Sequence, residues 1–249
     1  MTAPDRSDQP DSPLSGVPIH VVLVPGFWLG AWAWERVEPG LRAAGLVPHA
    51  VTLPGLDGSP TEGLTLDDHV AAVEALIDQL DGSIVLVGHS GGALVIQGVA
   101  DRRPERLTRT IYLDSGPLVD GVSLRPELDG DLPLPSWEQL AAEGASTEGM
   151  DEEVLAAFRH GAVDHPGGVA SSAVRLRDER RLDVPASVIC TSISAAELPG
   201  MIEAGHLPSE LLDLTDVRWV DLPTGHWPMF SRPAELAEAI TTEALVPAG

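Results

Sequence analysis

The chain has 249 residues, 43% of them hydrophobic, which suits one domain with a sizeable core and argues against wholesale disorder. Asp and Glu number 38 against 15 basic residues, a formal net charge of −23, so neither a nucleic acid nor an anionic membrane surface is an expected partner. A single cysteine, Cys190, rules out an internal disulfide, and no apolar run nears the roughly 20 residues that span a bilayer.

Residues 1–16 are acidic and rich in Pro and Ser, lack the apolar stretch of a secretory signal, and read as a disordered tail, with the cytoplasm as the default location. Strand candidates follow at 19–24 (IHVVLV), 47–53, 83–87 and 110–113. Between them lie helical stretches at 31–44, at 66–80 with Thr65 as N-cap, and at about 91–100. Near-continuous apolar strands separated by amphipathic helices predict a mostly parallel sheet covered on both faces. The rhythm breaks from 116 to 183, where Pro, Gly and acidic residues dominate around helical pieces near 137–143 and 152–160. It returns with a strand at 186–191, a helix near 197–204, a strand at 217–222 and a last helix opened by Pro233. The class is therefore α/β, with a core over 17–115 and 184–249 and an inserted cap or lid over 116–183.

The stretch VLVGHSGGAL, residues 85–94, places Ser90 between an apolar strand and an apolar helix, with Gly88 and Gly92 on either side. A nucleophilic serine must be exposed, near a base, and near donors for a developing oxyanion. A tight strand-to-helix turn meets all three needs, and it requires small neighbours where the chain doubles back. It also directs the N–H of Gly91, at the positive end of a helix, toward a reacting carbonyl. His89, the variable residue of this G-x-S-x-G pattern, shapes the turn and borders the site.

The segment VVLVPGFWLGAWAWERVEPGLRAAGLVPHAVTLPGLDGS resembles the α/β-hydrolase superfamily, and within it the small esterase branch of plant methylesterases and hydroxynitrile lyases. GHSGG and LPTGHWPMFSRP resemble that branch's nucleophile and histidine motifs, and the resemblance covers roughly 17–115 and 184–245. It implies an α/β-hydrolase fold with a small inserted cap. It also makes His226, in the loop after the last strand, the base that takes the serine proton. Most of the family carries the third, acidic member after the strand at 186–191, but Ser194 stands there, with Glu197 the nearest acid. The family's other solution puts it after the preceding strand, where Asp114 follows at once. Asp114 is preferred, Glu197 is the alternative, and a Ser–His dyad remains open.

The resemblance also implies an oxyanion hole built from the N–H groups of Phe27 and Gly91, with Pro25 where the family commonly has His. Trp28, His89, Trp137, Phe158, Trp227 and Met229 are expected to line an apolar pocket under the cap. The expected activity is hydrolysis of an ester, lactone, thioester or amide of a neutral, largely apolar small molecule through an acyl-enzyme. No cofactor or metal is implied, and a homodimer is left open. Rival readings are a cyclase, isomerase or lyase on the same fold, and a small-molecule receptor. The chain has no lysine, which counts against the lysine-dependent lyase chemistry of this branch.

Overall fold

A computed structural model describes residues 16–247, so the expected tail lies almost wholly outside the described residues. Six strands form one parallel sheet: β1 (Ile19–Val24), β2 (Val47–Ala50), β3 (Ser83–His89), β4 (Arg109–Leu113), β5 (Ala186–Cys190) and β6 (Val217–Asp221). Their spatial order is β2-β1-β3-β4-β5-β6. The central strands are buried on both sides, which is why they read as unbroken apolar runs rather than as alternating ones.

Alternate residues of those strands feed two separate cores. On one face Val22, Val24, Leu86, Tyr112 and Val188 pack with Val70 and Val73 of α2 (Leu66–Ile77) and Ile96 of α3 (Gly92–Arg102). On the other, Val21, Leu23, Val87, Ile111 and Ile189 pack with Leu41 of α1 (Glu38–Ala43) and with Leu236 and Ile240 of the last helix. Helix α2 opens at Thr65, whose backbone N–H and hydroxyl both donate to the Asp68 carboxylate, 2.8 and 2.7 Å away.

The helix expected over 31–44 is instead two pieces, a 3-10 turn at Ala31–Trp34 and then α1. Pro39 has no N–H to donate, so it sits in the first turn of a new helix rather than inside a continuous one. The stretch between β4 and β5 carries α4 (Trp137–Ala142), α5 (Glu152–Gly161) and α6 (Gly167–Ser171), and an antiparallel bridge pairs Leu132 with His165. Beyond β5 come α7 (Leu198–Glu203), then β6, then α8 (Pro228–Ser231) and α9 (Pro233–Ala244). Among the described residues no helix is long and apolar enough to cross a membrane.

Candidate active site

Strand β3 enters α3 through a corner at Ser90, which is held at φ +50°. That region of backbone space is costly for a side-chain-bearing residue. The corner closes so tightly that a Cβ on Gly88 would stand 2.7 Å from the Gly92 carbonyl oxygen. A Cβ on Gly92 would stand 2.6 Å from the carbonyl oxygen of Pro25, so the two glycines are where backbone meets backbone. Strand β4 ends in a second strained residue, Asp114, at φ +44°, and Trp28 beyond β1 is a third, at φ +67°. All three lie at the C-terminal edge of the sheet and line the same cavity.

The side chains meet in a line. His226 Nε2 is 2.9 Å from Ser90 Oγ, and His226 Nδ1 is 2.6 Å from Asp114 Oδ2. Asp114 also accepts from the backbone N–H of Thr191 and Ser192, at 3.2 and 2.8 Å, and from the Ser192 hydroxyl at 2.7 Å. Burial by itself would raise the Asp114 pKa, but the hydrogen bond and charge of His226 and the two Ser192 donors outweigh it, holding the carboxyl well below its ordinary value. A charged Asp114 accepts the Nδ1 proton and so leaves Nε2 with a lone pair facing the serine. The imidazole's backbone is fixed from both ends: His226 N–H donates to Ser146 O at 2.7 Å, and His89 Nε2 donates to the His226 carbonyl at 2.7 Å. Burial, then the nearby His226, lowers the His89 pKa to about 3, so His89 stays neutral.

Glu197 does not reach this line; it accepts from the Ser194 hydroxyl at 2.6 Å and precedes α7. The N–H groups of Phe27 and Gly91 donate to no protein acceptor among the described residues. Phe27 lines the cavity, whereas Gly91 lies behind its ring, so close that a Cβ there would be 2.4 Å from Phe27 Cε1.

Ser90, His226 and Asp114 border a cavity of about 560 Å³. Trp28, His89 and Trp227 line it. Trp137, Phe158 and Met229 do not, which corrects that part of the sequence reading. Phe158 and Met229 are completely buried in the core, and the Trp137 ring packs edge-on against Phe158 and Trp227. Much of the wall is instead Ile193, Leu198, Ile202, Leu207 and Leu211, from the stretch between β5 and β6. The i, i+4 pair Leu198 and Ile202 in a segment leaving the sheet's C-terminal edge is the signal that would have found it. Arg125 and Glu143, an ion pair that also lines the cavity, was missed as well.

A profile of the alpha/beta hydrolase family matches residues 21–239. The carbendazim hydrolyzing esterase of Nocardioides sp. (strain SG-4G) is 38% identical over 122 residues, 46% of this chain and 49% of that protein. Methylesterase 17 of Arabidopsis thaliana is 27% identical over 123 residues, 47% of this chain and 44% of that one. The chain thus spans about half the length of the curated relatives it matches. Over nearly whole chains, the structure resembles the methylesterase MES16 from Arabidopsis, with TM-score 0.71 and 19% identity over 90% of this chain and 98% of that one. It also resembles a pyrethroid hydrolase from Sphingobium faniae JZ-2, with TM-score 0.70 and 23% identity over 92% and 99%. With the profile covering most of its length and its parallel sheet matching these folds, the chain belongs to the alpha/beta hydrolase family.

Proposed function

We propose that the protein is a carboxylic ester hydrolase that acts through an acyl-enzyme on Ser90, on neutral and largely apolar esters. The observation that carries this reading is the unbroken line Asp114–His226–Ser90 opening into an apolar cavity. The esterase names of two relatives support the reaction class. In this reading Ser90 Oγ attacks the ester carbonyl carbon while its proton passes to His226 Nε2. The imidazolium is stabilised by the Asp114 carboxylate. The carbonyl oxygen becomes an oxyanion held by the N–H groups of Phe27 and Gly91, each worth about 3 kcal/mol in such a role. Collapse expels the alcohol, which takes the proton from His226. Water then gives a proton to the same nitrogen as it attacks the acyl-serine; the second tetrahedral intermediate collapses, the acyl–Oγ bond breaks, Ser90 Oγ takes that proton back from His226, and the acid leaves. Residues 116–183 serve as the cap, closing the cavity from the side opposite the sheet.

The test is p-nitrophenyl butyrate turnover together with fluorophosphonate labelling. Ser90→Ala should abolish both while leaving the melting temperature within a few degrees of the parent, about the scale of a 1 kcal/mol change. Full turnover in that variant would refute the assignment. In ¹⁸O-water, one labelled oxygen in the acid product marks hydrolysis; an unlabelled rearranged product would favour a cyclase or isomerase.

A further inference from the structure

The loop after β1 packs Trp28 and Leu29 into the core, but few hydrogen bonds of its own fix its backbone. Its own backbone contributes one long hydrogen bond, from Leu29 N–H to Gly26 O at 3.4 Å, and Trp28 sits at φ +67°. Strained backbone of that kind persists only when surrounding structure fixes it. Beside that apolar packing, hydrogen-bonding groups from the segment between β4 and β5 fix it. Trp28 Nε1 donates to Leu132 O at 2.9 Å, and Val163 N–H donates to Trp28 O at 3.0 Å. The same two stretches pair with each other through Leu132 N–H to His165 O at 2.8 Å and His165 N–H to Leu132 O at 2.9 Å. The His165 ring lies 4.2 Å from the Phe27 ring, tilted by 34°. The Phe27 ring also lies against Gly91, where an added Cβ would stand 2.4 Å from Cε1 and 2.6 Å from Cδ1.

His165 itself is buried, and neither ring nitrogen has a protein partner among the described residues. Side-chain hydrogen bonding therefore does not account for the ring's place; it packs on the Phe27 ring, with the His69 ring edge-on at 5.7 Å.

We propose that the Leu132–His165 bridge is a clamp on the oxyanion loop and that His165 is a positioning residue, stacking on Phe27 to hold that residue's backbone N–H where the oxyanion forms. This rests on the reading of Ser90 as nucleophile and Phe27 as donor. It makes the cap part of the catalytic geometry rather than only a cover. Substrate binding in the cavity does not need the clamp; stabilisation of the transition state does.

The test compares His165→Leu, which keeps apolar volume but loses the flat ring, with His165→Phe, which keeps the ring face. Trp28→Phe, which deletes the Nε1 donor to Leu132, examines the second attachment. On p-nitrophenyl butyrate, His165→Leu should lower kcat about 10- to 100-fold with KM within about twofold, short of the roughly 10²–10³ for outright loss of a donor. Affinity for an aryl trifluoromethyl ketone, which forms a tetrahedral oxyanion on the serine, should fall in parallel. His165→Phe should return kcat to within about threefold of the parent, and Trp28→Phe should show the same kcat-dominated loss as His165→Leu. Unchanged kcat in His165→Leu, or equal impairment in the Leu and Phe variants, overturns the proposal. Ser90→Ala separates the two readings: if it is inactive while His165→Leu is unimpaired, only the clamp fails, and if it remains active, the nucleophile assignment itself fails.

Discussion

Asp114 Oδ2 and His226 Nδ1 lie 2.6 Å apart although 112 residues separate them in the chain. The contact is made by two loops at the same edge of the sheet, and the Thr191 and Ser192 donors hold the carboxylate in place. Asp114→Asn keeps the shape but removes the charge that stabilises the imidazolium and fixes Nδ1–H. It should lower kcat about 10³- to 10⁴-fold, the scale seen when a triad carboxylate is made neutral. Glu197→Gln should stay within about twofold, a surface-scale effect. Steady-state ester hydrolysis with both variants decides between the two acids, and a larger loss in Glu197→Gln would reverse the assignment.

That choice of acid shows where sequence reading stops. Ser90 was legible because strand, elbow and helix are contiguous in the chain, although the crowding that demands glycine at position 92 comes from Val24 and Pro25. The strands were legible because burial on both faces leaves a local apolar signature. Asp114 and Glu197 both follow apolar strands at the right edge. Only the packed loops tell that Ser192 turns its donors toward Asp114, while Glu197 is occupied by Ser194. The pocket was legible least. Large apolar residues attract a pocket assignment, yet Phe158 and Met229 fill the core, and ordinary aliphatics from 193–211 make much of the wall. Which face of a short helix meets a cavity depends on tertiary packing that no local pattern carries.

The elbow glycines make a stability prediction. A Cβ at position 92 would meet two carbonyl oxygens, of Pro25 at 2.6 Å and of Val24 at 2.7 Å. Both belong to the end of β1 and its loop, not to flexible side chains, so the backbone itself must shift. Gly92→Ala should cost about 1–3 kcal/mol, the range for overpacked sites. It should also reduce turnover, because the shifted loop carries Phe27. Urea denaturation of parent and variant measures the first effect; an unchanged midpoint would show that the loop yields freely.

Acid should weaken the fold through buried histidines. Burial, then the neighbouring His69, lowers the His165 pKa from 6.5 to about 3; Asp131, also nearby, pulls the other way. His89 is lowered to a similar degree. Between those values the unfolded chain takes up protons that the folded chain refuses, so stability falls as pH falls through that window. Each histidine contributes a slope of about 1.4 kcal/mol per pH unit. Asp114, held low, withdraws its contribution only at still more acidic pH, below the ordinary carboxylate value. His49 and His69 are also held below the ordinary imidazole value by burial, and His165→Phe removes one of these histidine terms. Its unfolding free energy should fall less steeply than the parent's from neutral pH to about pH 4.5, by about 1.4 kcal/mol per unit over the acidic part of that range. Parallel slopes would mean that His165 is protonated in the folded state or that the unfolded chain does not titrate there.

The proposed preference for neutral esters turns on a cation that is already paired. Arg125 is the one arginine among the described residues that line the cavity, and Glu143 pairs with it; their side chains are 39% and 47% exposed, which places them where the cavity meets solvent. A substrate carboxylate arriving there must displace Glu143 and does so against a chain of net charge −23. The pair itself contributes little to stability at that exposure, so its removal should leave the fold intact and change recognition alone. Glu143→Gln releases Arg125 and should raise kcat/KM for the p-nitrophenyl monoester of glutaric acid, relative to p-nitrophenyl butyrate, by about three- to tenfold at low salt. High salt should shrink the gain. Adding Arg125→Ala to Glu143→Gln should erase it, because the attraction then has no source. A gain that survives the double substitution would place anion recognition elsewhere in the cavity, and no gain in the single variant would mean that Arg125 cannot reach a bound substrate.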